Sequence, residues 1–188
     1  FLYGSDRDHG TWIMRFYDST LTDTIRAFPG FQDTVVVGPV SPASIRAFTV
    51  QDHAVVADSC ILKINDGTRL SFEGSDSLVV RGTLLLNSVE FDSTTQTALG
   101  RIVVKSGGTL LLGGMEKTIT NLPSTVIERG GRMEVLAGTT IVQEDGCKIF
   151  VSGELLLDSS SWIDGSRIVC RNRGLVEFEP GAVLSGIG

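Results

Sequence analysis

Several features that define common protein classes are scarce in this chain of 188 residues. It has three cysteines, Cys60, Cys147 and Cys170, and no Cys-x-x-Cys pair, which excludes a complete disulfide framework and the usual zinc and thiol-redox motifs. No run approaches the ~20 apolar residues of a membrane-spanning helix. No segment keeps a 3.6-residue hydrophobic period over successive turns, so the sequence also excludes a helical bundle.

Positive charge and proline are in short supply as well. Lysine and arginine together number 16 against 22 acidic residues, which gives a net charge of −6. Because nucleic-acid binding needs a basic surface, we expect no nucleic-acid partner. The chain has 5 prolines but 22 glycines, a balance typical of short strands joined by tight turns.

One phrase, a glycine followed by a short apolar strand, occurs five times. Successive glycines of the phrase are 26, 23, 22 and 21 residues apart. A period near 23 is too long for one strand and too short for a domain, and it suits one coil of a β-solenoid. The five copies are residues 82–86 (GTLLL), 108–112 (GTLLL), 131–135 (GRMEV), 153–157 (GELLL) and 174–178 (GLVEF).

Short strands rich in Val, Ile, Leu and Phe fall into groups of three from about residue 33 onward. We therefore predict an all-β fold for residues 33–188, a parallel β-helix of about six coils with three short strands per coil. Residues 1–32 show no repeat but hold seven of the 13 aromatic residues. We interpret them as an aromatic-rich N-terminal cap or the end of a preceding domain. The chain opens without Met and stops within a repeat-like phrase, so we expect a piece of a longer protein.

Alternation within each strand assigns inward and outward faces. The inward positions form apolar ladders, which we expect to supply most of the stability. The outward positions are also unusually apolar, and three explanations remain open: a segment of the same chain covers them, another chain packs on them, or the register is shifted by one residue. Our hypothesis is an interface formed by Val79, Leu85, Val103, Leu111, Phe150 and Leu156.

Motifs for catalysis and cofactor binding are missing. The sequence has no Asp-Asp pair, Gly-x-Ser-x-Gly elbow, Walker phosphate loop or dinucleotide fingerprint. Glu134 and Glu177 share an outward row but lie two coils apart, about 10 Å. The densest polar cluster, residues 6–9 (DRDH), lacks the flanking ligands of a metal site. We therefore predict no catalytic residue, no cofactor and no metal ion.

The phrases at residues 64–70 (INDGTRL) and 178–184 (FEPGAVL) resemble right-handed parallel β-helix repeats of secreted bacterial surface proteins. In those repeats an acidic residue and Pro-Gly or Asp-Gly separate two apolar strands. The resemblance covers about residues 33–188 and implies a right-handed coil and an extracellular or cell-surface location. It also implies association with other copies of the chain, with other surface proteins or with polysaccharide.

Two functions follow from this resemblance. The first is a non-enzymatic structural or adhesive β-solenoid, a rigid rod that self-associates or packs laterally in a larger assembly. The alternative is a carbohydrate-binding or polysaccharide-degrading β-helix such as a phage tailspike fragment, with a groove near Trp162, Asp164 and Glu134. Fold alone does not choose between them.

Overall fold

In the computed structural model, all described regular elements are β-strands, as the alternation predicted. Strands β1 (Leu2–Asp6) and β2 (Gly10–Met14) form an antiparallel hairpin. Strand β3 (Asp23–Ile25) follows. The structure describes residues 2–6, 10–14, 23–25, 34–37, 46–50, 53–92, 100–143 and 148–185.

The remaining strands wind into six coils of three strands, followed by two strands of a seventh coil. The coils are, in order, β4 (Thr34–Val37), β5 (Arg46–Val50) and β6 (Val55–Val56); β7 (Ile61–Ile64), β8 (Thr68–Phe72) and β9 (Ser77–Val80); β10 (Thr83–Leu86), β11 (Val89–Phe91) and β12 (Arg101–Val104); β13 (Thr109–Leu112), β14 (Thr118–Thr120) and β15 (Ser124–Ile127); β16 (Arg132–Val135), β17 (Thr140–Val142) and β18 (Lys148–Val151); β19 (Glu154–Leu157), β20 (Trp162–Asp164) and β21 (Arg167–Cys170); and β22 (Leu175–Phe178) with β23 (Val183–Ser185).

Equivalent strands of successive coils stack into three parallel sheets. Sheet 1 contains the seven first strands, from β4 to β22, and sheet 3 contains the six third strands, from β6 to β21. Sheet 2 contains the second strands, from β5 to β23, and gains an eighth strand because β3 pairs in parallel with β5. The predicted all-β parallel β-solenoid of about six coils is therefore confirmed.

Apolar ladders fill the space between the sheets. In sheet 1, one ladder stacks Leu84, Leu110, Met133 and Leu155, and each of these side chains is at most 1% exposed. A second ladder runs from Leu86 to Phe178 with the predicted register. Phe178 itself is 51% exposed because no described strand stacks beyond β22. The inward faces were thus predicted correctly.

The repeated glycine closes the turn that connects sheet 3 to sheet 1, which we call the glycine corner. A Cβ atom built on Gly153 would collide with the backbone oxygens of Gly131 and Glu128. A Cβ atom on Gly174 would collide with the carbonyl oxygen of Val151. Glycine recurs there because neighbouring coils approach too closely for any side chain.

The predicted boundary at residue 33 and the aromatic-rich cap stay predictions. Most of residues 1–32, including Phe1, Phe16, Tyr17, Phe28 and Phe31, lie outside the part of the chain that the structure describes.

Candidate functional site

An uninterrupted apolar row follows the outer face of sheet 3. Its members are Cα partners in adjacent strands, so each side chain stands next to its equivalents one coil away. All are half-buried, because neighbours along the row cover part of each side chain. We call this the sheet-3 row: Val55, Val79, Val103, Val126, Phe150 and Val169.

A second, interrupted row follows the outer face of sheet 1. Leu85 and Leu111 are direct partners, whereas Glu134 separates Leu111 from Leu156. Lys63 and Glu177 stand at either end of these positions. The structure therefore divides the six predicted interface residues into three on the sheet-3 row and three on sheet 1.

The two rows lie on faces that meet at the glycine corner. The connection from sheet 3 to sheet 1 is as short as two residues, for example Ser152 and Gly153 between β18 and β19. The inward residues on both sides of this corner, such as Val151 and Leu155, are buried. A shift of register by one residue would expose them, so that explanation of the outward rows is excluded.

Basic side chains border the sheet-3 row. The Arg171 guanidinium lies 4.4 Å from the ring centroid of Phe150, within cation–π range. On the same side of the row, Lys105 Nζ donates to Glu128 Oε1 at 2.6 Å. On the other side, Arg101 and Lys148 begin their strands and are exposed. Sequence reasoning named the apolar row but missed its basic border. On one side the border consists of residues that begin the third strands, and on the other it consists of residues that follow them.

Carboxylates gather toward the last coils of sheet 1. Glu134 and Glu177 flank Leu156, two ladder steps apart, and Arg132 donates to Glu134 Oε2 at 2.8 Å. Partial burial and the negative charges of Glu134 and Glu179 raise the pKa of Asp158 above its usual value. The arrangement concentrates negative charge on an open surface.

The residues of the alternative groove are only partly brought together. On the outer face of sheet 2, Trp162 Nε1 donates to Ser185 Oγ at 2.9 Å, and Ser185 Oγ donates to Asp164 Oδ1 at 2.7 Å. Trp162 is 49% exposed beside Val183, an apolar neighbour that sequence reasoning did not single out. Glu134 belongs to sheet 1 instead, so it faces a different side of the solenoid.

A shallow depression lies on the outer face of sheet 2. It is lined by Gly67, Arg69, Glu90 and Thr118 among others, and it contains an ion pair between Arg69 Nη2 and Glu90 Oε1 at 3.0 Å. Both partners are about half exposed, so the pair contributes little stability.

Metal-binding clusters and membrane-spanning helices are both absent from the residues that the structure describes. No group of three or more His, Cys, Asp or Glu side chains there is placed to hold a metal ion. The polar cluster at residues 6–9 falls outside the described side chains. Within the described ranges, no helix is long and apolar enough to cross a membrane.

Comparisons with known proteins add little to this picture. No protein-family model matches the chain, and no curated protein matches it. Among solved structures, the chain is similar to a TibC-catalyzed hyper-glycosylated TibA fragment, at 15% identity over 81% of this chain and 82% of that one. The TM-score of 0.16 is too low to carry an argument, so the fold rests on the strand pairings described above.

Proposed function

We propose that this chain is a non-enzymatic structural or adhesive module of the cell surface, a stiff β-solenoid that packs laterally against further chains. The observation that carries the proposal is the sheet-3 row, six apolar side chains in consecutive coils on an outward face. The face of a sheet that is in contact with water normally carries polar residues. A continuous apolar row gains stability when another surface removes it from water.

Stiffness follows from the way the coils are joined. Each strand inside the three sheets bonds to the coil before and the coil after, so bending the stack breaks several backbone hydrogen bonds together. Corner contacts add to this, as in the bonds from Lys105 N to Val80 O at 2.8 Å and from Glu128 N to Val104 O at 2.9 Å. A stiff stack of this kind presents a continuous apolar row, which suits side-by-side packing.

The proposal is tested by placing charge in the row. We expect Val103→Glu combined with Val126→Glu to weaken self-association about tenfold or more, because a carboxylate buried without a partner is costly. Sedimentation velocity across a concentration series measures the effect. Thr140→Glu, at a half-buried outward position of sheet 2, is the matched control. Equal association by the row variant, the control and the unaltered chain would contradict the proposal.

The second candidate function is carbohydrate binding on sheet 2, favoured by the hydrogen-bonded chain of Trp162, Ser185 and Asp164. The indole is fixed at its edge and about half exposed, which leaves an apolar ring beside a carboxylate. This combination suits a sugar, because a sugar ring has an apolar face that can stack on the indole and hydroxyl groups that can donate to the carboxylate.

Tryptophan fluorescence tests this candidate directly, because Trp162 shares the chain with one other tryptophan, Trp12. Titration with a panel of polysaccharides should change the emission of the unaltered chain and of Trp12→Phe, but not that of Trp162→Ala. An assay for new reducing ends on the same samples separates binding from cleavage. A panel that leaves the emission unchanged would contradict the candidate.

A further inference from the structure

Positive charge is concentrated on one side of this acidic chain. The six strands of sheet 3 contain three basic residues and no acidic residue. The glycine corner beside them adds five more basic residues, against the carboxylates of Asp58 and Glu128. On the other side of sheet 3, the turn that leads into β9 carries the carboxylates Glu73 and Asp76. Lys105 is paired with Glu128, whereas no ion pair among the described residues involves the others. We call these eight residues the basic face: Arg81, Arg101, Lys105, Arg129, Lys148, Arg167, Arg171 and Arg173.

Negative charge is concentrated on the neighbouring sheet. Strands β16, β19 and β22 of sheet 1 carry Glu134, Glu154 and Glu177, and the turns that follow β19 and β22 carry Asp158 and Glu179. Arg132 is the sole basic residue of these three strands. We call these five carboxylates the acidic end of sheet 1.

The carboxylates of the acidic end repel one another. The charges of Glu134 and Glu179 add to partial burial in raising the pKa of Asp158. An opposing basic surface would relieve this repulsion. Leu156, half-buried between Glu134 and Glu177, also offers an apolar contact at the centre of the acidic end.

We propose that the basic face of one copy, with the sheet-3 row at its centre, docks against the acidic end of sheet 1 on a second copy. The inference rests on the proposed lateral packing and names its partner and its orientation. Each surface combines apolar side chains with an excess of charge of one sign, and the two signs are opposite. Such complementarity favours this pairing over sheet 3 against sheet 3, where like charges would meet.

The contact is heterologous, because it joins two different faces of the same chain. A docked pair leaves one basic face and one acidic end free, so growth continues until a ring closes or a filament forms. The docking is also electrostatic in part, so added salt must weaken it.

Charge reversal tests the inference by light scattering. The basic-face variant combines Arg101→Glu with Arg167→Glu, and the acidic-end variant combines Glu154→Arg with Glu177→Arg. All four positions are exposed, and far-UV circular dichroism checks that each variant folds. We expect each variant to associate about tenfold more weakly than the unaltered chain, and the chain with all four substitutions to recover association. Raising the salt concentration from about 0.05 M to about 0.5 M should weaken the self-association of the unaltered chain by a similar factor.

Two other results overturn the inference in distinguishable ways. Association that resists both salt and charge reversal, yet is lost in Val103→Glu with Val126→Glu, would leave lateral packing intact and remove the acidic end as the partner. A chain that stays monomeric at every salt concentration would contradict both the docking and the proposed function.

Discussion

At the glycine corner, the lack of a Cβ atom lets consecutive coils stack at full contact. Gly153 is one such residue, because its added Cβ atom would meet two backbone oxygens that cannot move aside without distorting the strands. We expect Gly153→Ala to lower the free energy of unfolding by about 1–3 kcal/mol, the usual cost of overpacking a tight interior. Urea denaturation followed by circular dichroism measures the change.

Ser152→Ala is the control for that experiment, since it alters the neighbouring residue of the same corner. If Gly153→Ala destabilises the chain no more than Ser152→Ala does, the coils do not approach each other closely enough at this corner to exclude a Cβ atom.

The pKa of Asp158 predicts how stability depends on pH. Partial burial and the charges of Glu134 and Glu179 raise this pKa above the value of about 3.9 expected in the unfolded chain. Between the two pKa values the folded chain binds more protons, so the contribution of Asp158 to stability falls as pH rises through that window. We expect Asp158→Asn to stabilise the chain at pH 7, by less than about 1 kcal/mol.

Thermal unfolding at two pH values checks this expectation. The gain from Asp158→Asn should vanish near pH 3, where the carboxyl is protonated in both the folded and the unfolded chain. Asp58→Asn, which removes an exposed carboxylate elsewhere, controls for the change in net charge. A loss of stability in Asp158→Asn at pH 7 would show that its charge is favourable.

Pairings between side chains of distant coils were beyond sequence reasoning. Lys117 Nζ donates to Asp66 Oδ2 at 2.5 Å, although the two residues are 51 positions apart, and Ser88 N donates to Asp66 Oδ1 at 3.1 Å. Partial burial tends to raise the pKa of Asp66, but these two partners outweigh it and the pKa is lowered. Because loop lengths vary from coil to coil, the spacing of such partners carries no fixed period.

At the scale of elements, each strand of sheet 1 separates a core side chain from an outward one. Leu112 is fully buried, whereas the adjacent Leu111 is half-buried on the outer face. We expect Leu112→Ala to lower the free energy of unfolding by about 2–5 kcal/mol, because the removed atoms leave a cavity within the stacked ladder. Leu111→Ala should cost less than about 1 kcal/mol in dilute protein, since it leaves no internal cavity.

Chemical denaturation of both variants, below the concentration at which the chain associates, provides the comparison. If the two substitutions are equally destabilising, or their order is reversed, the inward and outward assignments of this strand are wrong.

Strand positions and faces were predictable because a solenoid repeats the same order of strands and turns in every coil. The alternation in GTLLL places Leu84 and Leu86 inside, and the other copies of the phrase show the same alternation. Deviations within a coil were not predictable. Thr125 occupies an inward position where other coils have Leu or Ile, and its hydroxyl donates to Pro123 O at 2.9 Å. A local backbone acceptor makes that polar residue tolerable, and only the turn geometry shows it.

The candidate surface was predictable in part for the same reason. Val79, Val103 and Phe150 belong to one continuous row because their strands share a register. Alternation also placed Glu134 in the outward row of sheet 1, and the structure has it between Leu111 and Leu156.

For the molecule as a whole, the net charge does not show how the charged residues are distributed over the surface. The sequence has a net charge of −6, from which we expected no nucleic-acid partner. Winding the chain into coils places the basic residues of successive third strands, such as Arg101, Lys148 and Arg167, along one side. The acidic residues of later first strands, such as Glu154 and Glu177, collect on the next side. A repeat amplifies any small bias in composition into a charged face.

Lateral packing of the solenoid is the central claim about this molecule, and the absolute mass of the purified chain in solution tests it most directly. Light scattering across a concentration series at low salt should give a mass that rises with concentration to multiples of 20.1 kDa. A constant mass of 20.1 kDa at every concentration would contradict the claim, because the outward apolar rows would then be stable in contact with water.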